Sequence, residues 1–328
     1  MAILDVRDLS IDYIDGDGRV LHAVEQVSFY LEHRRSLGLV GESGCGKTTT
    51  MLGLLRLLPA EGRIVSGEVW YDAVDLLGLS ERQMQDYRWK SMAIVFQSAM
   101  NALNPVRRIG DQIAEAIVVH ERVSRAEAQQ RAGELLEMVG ISGHMARRYP
   151  HQYSGGMRQR AMTAMALACS PGILIADEPT TALDVMIQAQ ILDLFQRLQK
   201  QLDLAIILVT HDLGVVAELC DDVLVLYGGR TVEYAGVDAI FNEPLHPYTQ
   251  RLMQAFPDIE RPTSTLAAIP GYPPPLDALP PGCRFEPRCL LADGRCALEK
   301  PPLVAVKPGH YVACYRVEEG TNAARATS

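Results

Sequence analysis

The feature that most restricts what this chain can fold into is an eight-residue stretch from Gly41 to Thr48, Gly-Glu-Ser-Gly-Cys-Gly-Lys-Thr. It fits the pattern G-x-x-x-x-G-K-[ST], and it lies between an apolar run, residues 37–40, and residues 49–58, which are predicted to be helical until Pro59 ends them. Strand, glycine-rich loop and helix in this order are the context that a phosphate-binding loop requires. A plain glycine-rich turn that happens to contain Lys-Thr is the alternative, and the flanking strand and helix argue against it.

The residue types of this loop suit a nucleotide phosphate. Its glycines let the backbone close around an anion, and the following helix directs its N–H groups and the positive end of its dipole toward that anion. Lys47 is expected to reach the β and γ phosphates, and the hydroxyl of Thr48 is expected to bind Mg²⁺. The residues of the loop and helix start that are predicted to bind the nucleotide are Gly41, Ser43, Gly44, Cys45, Gly46, Lys47, Thr48 and Thr49.

Composition and charge exclude several classes of protein. A chain of 328 residues with 48% apolar residues is long enough for one large domain with a smaller one. The net charge of −9 argues against a nucleic-acid binder, because such proteins need Lys and Arg to displace counterions from phosphates. No apolar stretch approaches the roughly 20 residues that span a bilayer, and the first residues do not resemble a signal peptide. We therefore expect a cytoplasmic protein that reaches a membrane only through its partners.

Polar side chains follow three other apolar segments that are predicted to be strands. They are Gln97 after residues 93–96, Asp177 and Glu178 after residues 173–176, and His211 shortly after residues 205–209. The carboxyl ends of parallel strands are where such sheets bind ligands. An acidic pair there can hold Mg²⁺ through water and deprotonate an attacking water. Alone, each residue is more often a solvated amide, a helix cap or a structural histidine, but together with the glycine-rich loop they favour catalysis.

Two weaker signals accompany this set. Between about residues 105 and 168 the pattern becomes helical, which indicates a helical insertion in an α/β domain. Near its end, Ser154, Gly155 and Gly156 precede a helix whose N–H groups could bind a phosphate, although a plain turn is the default interpretation. Tyr13, at the end of the first of two predicted N-terminal strands, could stack on a base or be an ordinary strand-end tyrosine.

Together and in this order, the motifs resemble those of the nucleotide-binding subunits of ABC transporters over roughly residues 3–240. The matching motifs are the Walker A loop at Gly41 to Thr48, the Q-loop at Gln97, the signature at Ser154-Gly155-Gly156, the Walker B strand from Ile173 to Glu178, the D-loop at Ala182-Leu183-Asp184 and the switch histidine at His211. The resemblance implies a P-loop ABC ATPase domain with a mostly parallel core sheet, an antiparallel β subdomain and a helical insertion at about residues 98–168.

The same resemblance implies a role for each site residue. Lys47, Thr48, Gln97 and Asp177 would bind MgATP, with Thr48 and Gln97 on the Mg²⁺ ion. Glu178 would be the general base, His211 would sense the γ phosphate, and Gln97 would join them at the catalytic centre. Tyr13 would stack on adenine, and the signature residues Ser154, Gly155 and Gly156 would act on the ATP of a partner subunit.

Other stretches narrow the resemblance to the oligopeptide and dipeptide importer branch. They are residues 97–105, 153–160, 244–249, 269–271 and 281–289. The implied protein is an ATP-hydrolysing subunit at the cytoplasmic face of the membrane, with an ATPase domain over residues 1–240 and a C-terminal extension over 241–328. Its expected partners are two membrane permeases, a peptide-binding protein outside the cell and a second ATPase, with a related chain favoured over another copy. The alternatives are a nickel importer, a soluble ABC ATPase without a transport function, and an iron–sulfur sensor that nucleotide merely regulates.

The C-terminal extension has a composition of its own. Nine of the 19 prolines lie between residues 257 and 287, which predicts an extended, wrapping segment. Four cysteines with intervening gaps of five, six and 17 residues lie in its second half, namely Cys283, Cys289, Cys296 and Cys314. Zinc sites usually contain shorter C-x₂₋₄-C pairs, and four thiolates also suit an iron–sulfur cluster. Free reduced thiols are the remaining possibility. Similar importer subunits carry a four-iron cluster here, so the resemblance favours a 4Fe-4S cluster with a structural or redox-sensing role, with zinc as the alternative.

Overall fold

The computed structural model describes residues 2–96, 102–181, 183–255 and 269–317. It separates into two compact units. The first unit contains residues 32–36 and 78–209, and the second contains residues 2–31, 37–77 and the chain from 210 onward. Gln97 of the predicted Q-loop and Ala182 of the predicted D-loop lie outside the described residues. The division at residue 240 that the sequence suggests stays a prediction.

A short parallel sheet forms the centre of the first unit. Its strands are β6 (Met92–Val95), β7 (Ile173–Asp177) and β8 (Ala205–Val209). The middle strand is β7, and Ala176 pairs with Val95 on one side and with Leu208 on the other. Every residue of β7 and β8 is buried, as is typical of parallel strands that are covered on both faces. Because Asp177 ends β7, the sheet itself delivers this carboxylate to the carboxyl edge.

Helices make up the rest of the first unit. They are α2 (Glu81–Tyr87), α3 (Ile109–His120), α4 (Arg125–Met138), α5 (Gly155–Ala166) and α6 (Val185–Leu202). Along α3, Ile109, Ile113 and Ile117 are all buried, so the four-residue spacing of these isoleucines marks the face that packs inward. Side chains of Ser124 and Asp184 accept backbone N–H groups at the starts of α4 and α6, which fixes where these helices begin.

An antiparallel sheet lies in the second unit. Its strands are β1 (Ala2–Ile14), β2 (Val20–Glu32), β4 (Gly62–Tyr71) and β5 (Val74–Asp75), in the order β2-β1-β4-β5. In the ladder between β1 and β4, Leu4 pairs with Tyr71 and Tyr13 pairs with Gly62. The two predicted N-terminal strands are therefore confirmed as β1 and β2.

A second set of strands in this unit carries the phosphate-binding loop. They are β3 (Ser36–Val40), β9 (Asp222–Tyr227), β10 (Arg230–Gly236), β11 (Val304–Lys307) and β12 (His310–Val312). Strand β3 is parallel to β9, and β9 and β10 form an antiparallel hairpin. Gly228 and Gly229 make its turn with φ values of 53° and 83°, as a two-residue turn with two positive φ angles requires. The glycine pair between the apolar runs at residues 223–227 and 231–234 is the sequence signal for this hairpin.

The C-terminal part of the chain joins the same unit through β12, which pairs with β10. At this junction Glu233 of β10 is fully buried. Its carboxylate accepts the backbone N–H groups of Leu245 and His246 at 2.8 and 2.9 Å, and it lies 2.7 Å from His310 Nε2. Burial would raise the pKa of Glu233, but the contact with His310 and the backbone N–H groups outweigh burial and lower it.

The remaining helices are α1 (Lys47–Leu54), α7 (Leu213–Leu219), α8 (Val237–Asn242), α9 (Pro247–Gln254) and α10 (Gly294–Leu298). The first of them is shorter than predicted, because it ends at Leu54 instead of continuing to Leu58. Arg56 has a φ of 51°, and the N–H of Leu57 bonds to the carbonyl of Leu52 at 2.8 Å. A left-handed residue followed by this backward bond closes the helix before the proline is reached. Among the described residues, no helix is both long enough and apolar enough to cross a membrane.

Candidate nucleotide-binding site

The phosphate-binding loop, Gly41 to Thr48, connects β3 to α1 in the second unit. It is closely packed at one end and open at the other. Gly41 has a φ of 148°, and a Cβ atom there would overlap the carbonyl oxygen of Leu226. Gly44 has a φ of 78°, and a Cβ atom there would meet no atom of the described residues within 4 Å. Helix α1 begins after Gly46, whose N-cap position provides no side-chain hydrogen bond. A helix start of this kind is a ready site for a phosphate.

Lys47 lies inside this loop with only 7% of its surface exposed. Its Nζ donates to the carbonyl oxygens of Gly41 at 2.7 Å and Glu42 at 3.1 Å, and it lies 3.6 Å from the sulfur of Cys45. The ammonium group is therefore held where phosphate oxygens could take over from the loop carbonyls. Burial raises the pKa of the Cys45 thiol, so this residue stays a neutral packing group within the loop.

Three contacts hold the loop from distant parts of the second unit. The backbone N–H of Glu42 donates to the hydroxyl of Tyr248 at 3.0 Å. The carboxylate of Glu42 accepts from both terminal nitrogens of Arg288, at 2.5 and 3.0 Å. The N–H of Gly229 donates to the carbonyl of Cys45 at 3.0 Å. Sequence reasoning missed these partners. An acidic residue within a phosphate-binding loop implies that a cation is needed nearby, but no local pattern indicates which one supplies it.

The acidic pair lies at the end of β7 in the first unit. Asp177 is 4% exposed. Glu178 follows with a φ of 45°, its N–H donates to the carbonyl of Val209 at 2.8 Å, and its carboxylate accepts from the hydroxyl of Thr181 at 2.9 Å. A left-handed conformation costs a residue other than glycine about 1–3 kcal/mol, and such residues often occur at active sites. Glu178 is therefore held by its strand neighbour and by a residue three positions along the chain.

The predicted signature residues lie at the start of α5, also in the first unit. The hydroxyl of Ser154 accepts the N–H of Met157 at 3.3 Å and caps the helix. Ser154 and Gly155 are exposed, whereas Gly156 is buried. A Cβ atom at Gly156 would lie 2.7 Å from the side chain of Ile187, so glycine permits the close approach of α5 and α6. The first two signature residues are therefore accessible at the surface of the described chain.

Two other predicted site residues lie in the second unit. His211 is exposed and precedes Asp212, whose side chain caps α7 by accepting the N–H of Gly214 at 2.9 Å. The ring of Tyr13 packs over Gly62, where a Cβ atom would lie 2.8 Å from it. The structure therefore places Tyr13, His211 and the phosphate-binding loop in one unit. It places the acidic pair and the signature in the other unit.

The four C-terminal cysteines line one cavity, whose other lining residues include His246, Phe285 and Tyr315. All seven cysteines are free thiols. Burial raises the pKa of Cys283 to about 11, and burial also raises the pKa values of Cys289 and Cys314. Within the part of the chain that the structure describes, no three His, Cys, Asp or Glu side chains are arranged so that they could hold a metal ion. The thiols share a cavity, but they are not gathered as ligands.

Two family models match the chain. The ABC transporter model matches residues 24–181. The model of the oligopeptide/dipeptide transporter C-terminal region matches residues 232–296. Between them, the two matches include the phosphate-binding loop, the acidic pair, the signature and three of the four C-terminal cysteines.

Solved structures agree with the fold. A dimeric ATP-binding cassette in a post-hydrolysis state, bound to ADP and phosphate, is 26% identical with a TM-score of 0.64, over 71% of this chain and 98% of that one. CbiO1 from Clostridium perfringens, part of an ABC transporter complex, is 28% identical with a TM-score of 0.64, over 74% of this chain and 91% of that one. The P-loop ABC ATPase fold that the motifs predict is confirmed.

Curated relatives match almost the whole chain. A probable peptide ABC transporter ATP-binding protein of Sinorhizobium fredii is 51% identical over 98% of this chain and 96% of the relative. The oligopeptide transport ATP-binding protein OppD of Salmonella typhimurium is 45% identical, over 97% of this chain and 95% of OppD. AppD of Bacillus subtilis, another oligopeptide transport ATP-binding protein, is 45% identical over 97% of this chain and 98% of AppD. The chain belongs to the ATP-binding proteins of ABC transporters, in the oligopeptide and dipeptide branch.

Proposed function

We propose that this chain is the ATP-hydrolysing subunit of an importer that carries peptides across the cytoplasmic membrane. The observation that carries the proposal is the nearly full-length similarity to ATP-binding proteins named for peptide or oligopeptide transport. That similarity includes the C-terminal region as well as the ATPase region. It supports peptide over nickel as the cargo, and it supports a transporter subunit over a soluble ABC ATPase.

The proposed division of labour follows from the chemistry of phosphoryl transfer, in which positioning and charge stabilisation dominate. Lys47 would bind the β and γ phosphates in place of its present carbonyl partners. Thr48, Gln97 and Asp177 would hold Mg²⁺, which when bound would neutralise charge that develops on the phosphates. Glu178 would orient the attacking water and accept its proton.

The other motifs would recognise the nucleotide or connect it to a second subunit. His211 would sense the γ phosphate, and Tyr13 would stack on adenine. Ser154, Gly155 and Gly156 would contact the ATP held by a second ATPase subunit, and the exposure of Ser154 and Gly155 supports this role. A nucleotide that binds the closed pair of ATPases more tightly than the open pair shifts the equilibrium toward closure, and this difference in affinity is what can drive a permease.

This mechanism requires partners. We expect two membrane permeases, a peptide-binding protein outside the membrane, and a second ATPase that is a related chain and not another copy of this one. The subunit would then lie at the cytoplasmic face of the membrane, held there by the permeases. Family precedent supports this arrangement.

Co-purification tests the proposal directly. The chain would be isolated from native membranes in mild detergent, and every associated protein would be identified. We expect two multi-span permeases together with a second, related ATPase. Recovery only from the soluble fraction, alone or with ribosomes or DNA, would overturn the transport function.

We also propose that Cys283, Cys289, Cys296 and Cys314 hold a 4Fe-4S cluster with a structural or redox-sensing role, with zinc as the alternative. Two observations support it: the four thiols line one cavity, and sulfur donors suit both metals. The side chains would have to converge when the group binds. Anaerobic purification followed by iron, zinc and labile-sulfide analysis tests the proposal. About four irons with matching sulfide per chain is the expected result, and zinc or no metal would overturn the cluster.

A further inference from the structure

Arg288 is the most completely bonded arginine of the C-terminal segment, by which we mean residues 269–317. It is 8% exposed, and its side chain has five N–H groups. Five acceptors among the described residues match them: Pro270 O at 2.7 Å, Tyr227 Oη at 3.1 Å, Gly271 O at 3.3 Å, and the two carboxylate oxygens of Glu42 at 2.5 and 3.0 Å. A guanidinium group with every donor matched is fixed in position.

The partner of Arg288 is the second residue of the phosphate-binding loop. The carbonyl of Glu42 accepts from Lys47 Nζ at 3.1 Å, and its N–H donates to Tyr248. Arg288 thus holds the side chain of Glu42 while Tyr248 holds its backbone, and the carbonyl of this doubly held residue is one of the two that accept from Lys47. Arg288 is therefore connected through Glu42 to Lys47, the residue that is expected to bind the phosphates.

The ion pair between Arg288 and Glu42 also affects the electrostatics of the phosphate-binding loop. A carboxylate in a phosphate-binding loop repels the triphosphate at short range, where salt screens little. A bidentate arginine offsets the charge of the Glu42 carboxylate and also fixes the orientation of that carboxylate. The hydrogen bond to Glu42 raises the pKa of Arg288, so the guanidinium stays charged.

The position of Arg288 is set by the short turn between two of the cysteines. The N–H of Glu286 bonds to Cys283 O at 3.0 Å, that of Arg288 bonds to Phe285 O at 3.0 Å, and that of Cys289 bonds to Glu286 O at 3.1 Å. These successive turns leave the backbone little freedom. Any interaction that fixes Cys283 and Cys289 therefore also fixes Arg288, which lies between them.

We propose that Arg288 is a positioning residue for ATP binding, through which the C-terminal segment holds the phosphate-binding loop in the shape that accepts the triphosphate. The inference deepens the proposed function, since it rests on ATP binding at Gly41 to Thr48. It gives the C-terminal segment a part in nucleotide affinity that does not depend on which metal, if any, the cysteines hold.

Equilibrium binding of a fluorescent ATP analogue to the purified full chain, with Mg²⁺ present, tests the proposal. We expect Arg288→Ala to weaken binding by about tenfold or more, and Arg288→Lys, which keeps the charge but loses the fork of donors, to weaken it by an intermediate factor. The matched control is Arg295→Ala in the same segment. Its guanidinium carbon lies 3.7 Å from the centroid of the Tyr315 ring, and its Nε bonds to Glu299. Neither of these partners belongs to the loop, so binding should stay within twofold of wild type.

A double substitution separates positioning from a general loss of structure. If Arg288 acts through Glu42, Arg288→Ala should weaken binding by no more than twofold in a Glu42→Gln background. An equal loss in both backgrounds would overturn the proposal. Thermal unfolding without nucleotide shows whether Arg288→Ala folds. If it does not, the affinities of Arg288→Lys and Glu42→Gln for the ATP analogue are measured instead. Wild-type affinity in both of these variants would overturn the proposal.

The same experiment distinguishes the inference from the function on which it rests. A wild-type chain that fails to bind the analogue would overturn ATP binding itself and the inference with it. A wild-type chain that binds, together with an Arg288→Ala variant that binds equally well, would overturn only the inference.

Discussion

The phosphate-binding loop and the end of β7 both follow a buried parallel strand, and both carry an acidic residue, but they are held in place differently. Glu42 is held by Tyr248 and Arg288, which lie 206 and 246 residues further along the chain. Glu178 is held by Thr181, three residues away, and by its strand neighbour Val209. The loop therefore depends on distant segments for its shape, whereas the proposed base depends on its immediate surroundings. Changes near the loop should alter ATP affinity, and changes near the base should alter turnover.

The largest expected effect is on turnover. Glu178→Gln should lower kcat by about a hundredfold or more, since general acid–base catalysis contributes roughly 10²–10⁴-fold. ATP affinity should stay within threefold of wild type. Phosphate release and equilibrium ATP binding measure the two quantities. The control is Glu134→Gln on the exposed face of α4, which should change neither. Wild-type hydrolysis by the Glu178 variant would assign the base to another residue.

The second-largest expected effect is a loss of ATP affinity caused by a substitution in the phosphate-binding loop. Gly41→Ala puts a methyl group onto the carbonyl of Leu226 at a φ of 148°, so the loop has to shift. We expect ATP affinity to fall by tens-fold, as measured by equilibrium binding. Gly16→Ala, where no atom of the described residues lies within 4 Å of the new methyl group, is the control and should bind as wild type. Tight binding by the Gly41 variant would show that the loop tolerates displacement.

A smaller change removes a single distant contact. Tyr248→Phe deletes the acceptor for the N–H of Glu42, so we expect about fivefold weaker ATP binding with kcat unchanged. Leaving that N–H without a partner should also cost about 1–3 kcal/mol of unfolding free energy.

Tyr234→Phe is the matched control for this change. It removes a similarly buried hydroxyl, which donates to the carbonyl of Tyr30 at 3.2 Å, away from the loop. Its stability should fall in the same way without any loss of affinity. Equal losses of ATP affinity in both variants would show that general destabilisation, and not the loop contact, causes the effect.

The smallest expected effect tests the local support of the base. Thr181→Val removes the hydroxyl that donates to Glu178, so kcat should fall about threefold while ATP affinity is unchanged. Thr181→Ser keeps the donor and should restore turnover. Steady-state phosphate release over a range of ATP concentrations separates the two quantities. If Thr181→Val changed ATP affinity and left kcat unchanged, the expectation that changes near Glu178 alter turnover and not affinity would be wrong.

Much of the fold was predictable because its signals are local. The glycine-rich loop, the β9–β10 hairpin and the strand that ends at Asp177 each follow from a short pattern. The end of α1 was not predictable in this way, because a left-handed Arg56 stops the helix without a glycine to mark the position. The contacts of Glu42 were missed for a different reason: local periodicity carries no information about pairs that are hundreds of residues apart.

The cysteines show the same limit. Their crowding in the sequence predicted a shared site, and the structure gives them a shared cavity. Their spacing could not choose between zinc, iron and free thiols, since ligand geometry depends on how the intervening turns pack. The role of Gln97 also stays a prediction, because that residue lies outside the part of the chain that the structure describes.

The pairing of β10 with β12 has a consequence for how the chain is made. Until the ribosome has released residues 310–312, β10 presents an unpaired edge, and Glu233 lacks the imidazole beside it. Unpaired edges invite association with other chains, and a buried acid that loses a partner is costly. We therefore expect prematurely terminated chains to aggregate or be degraded. Only chains that include β12 would then be available to assemble into the transporter.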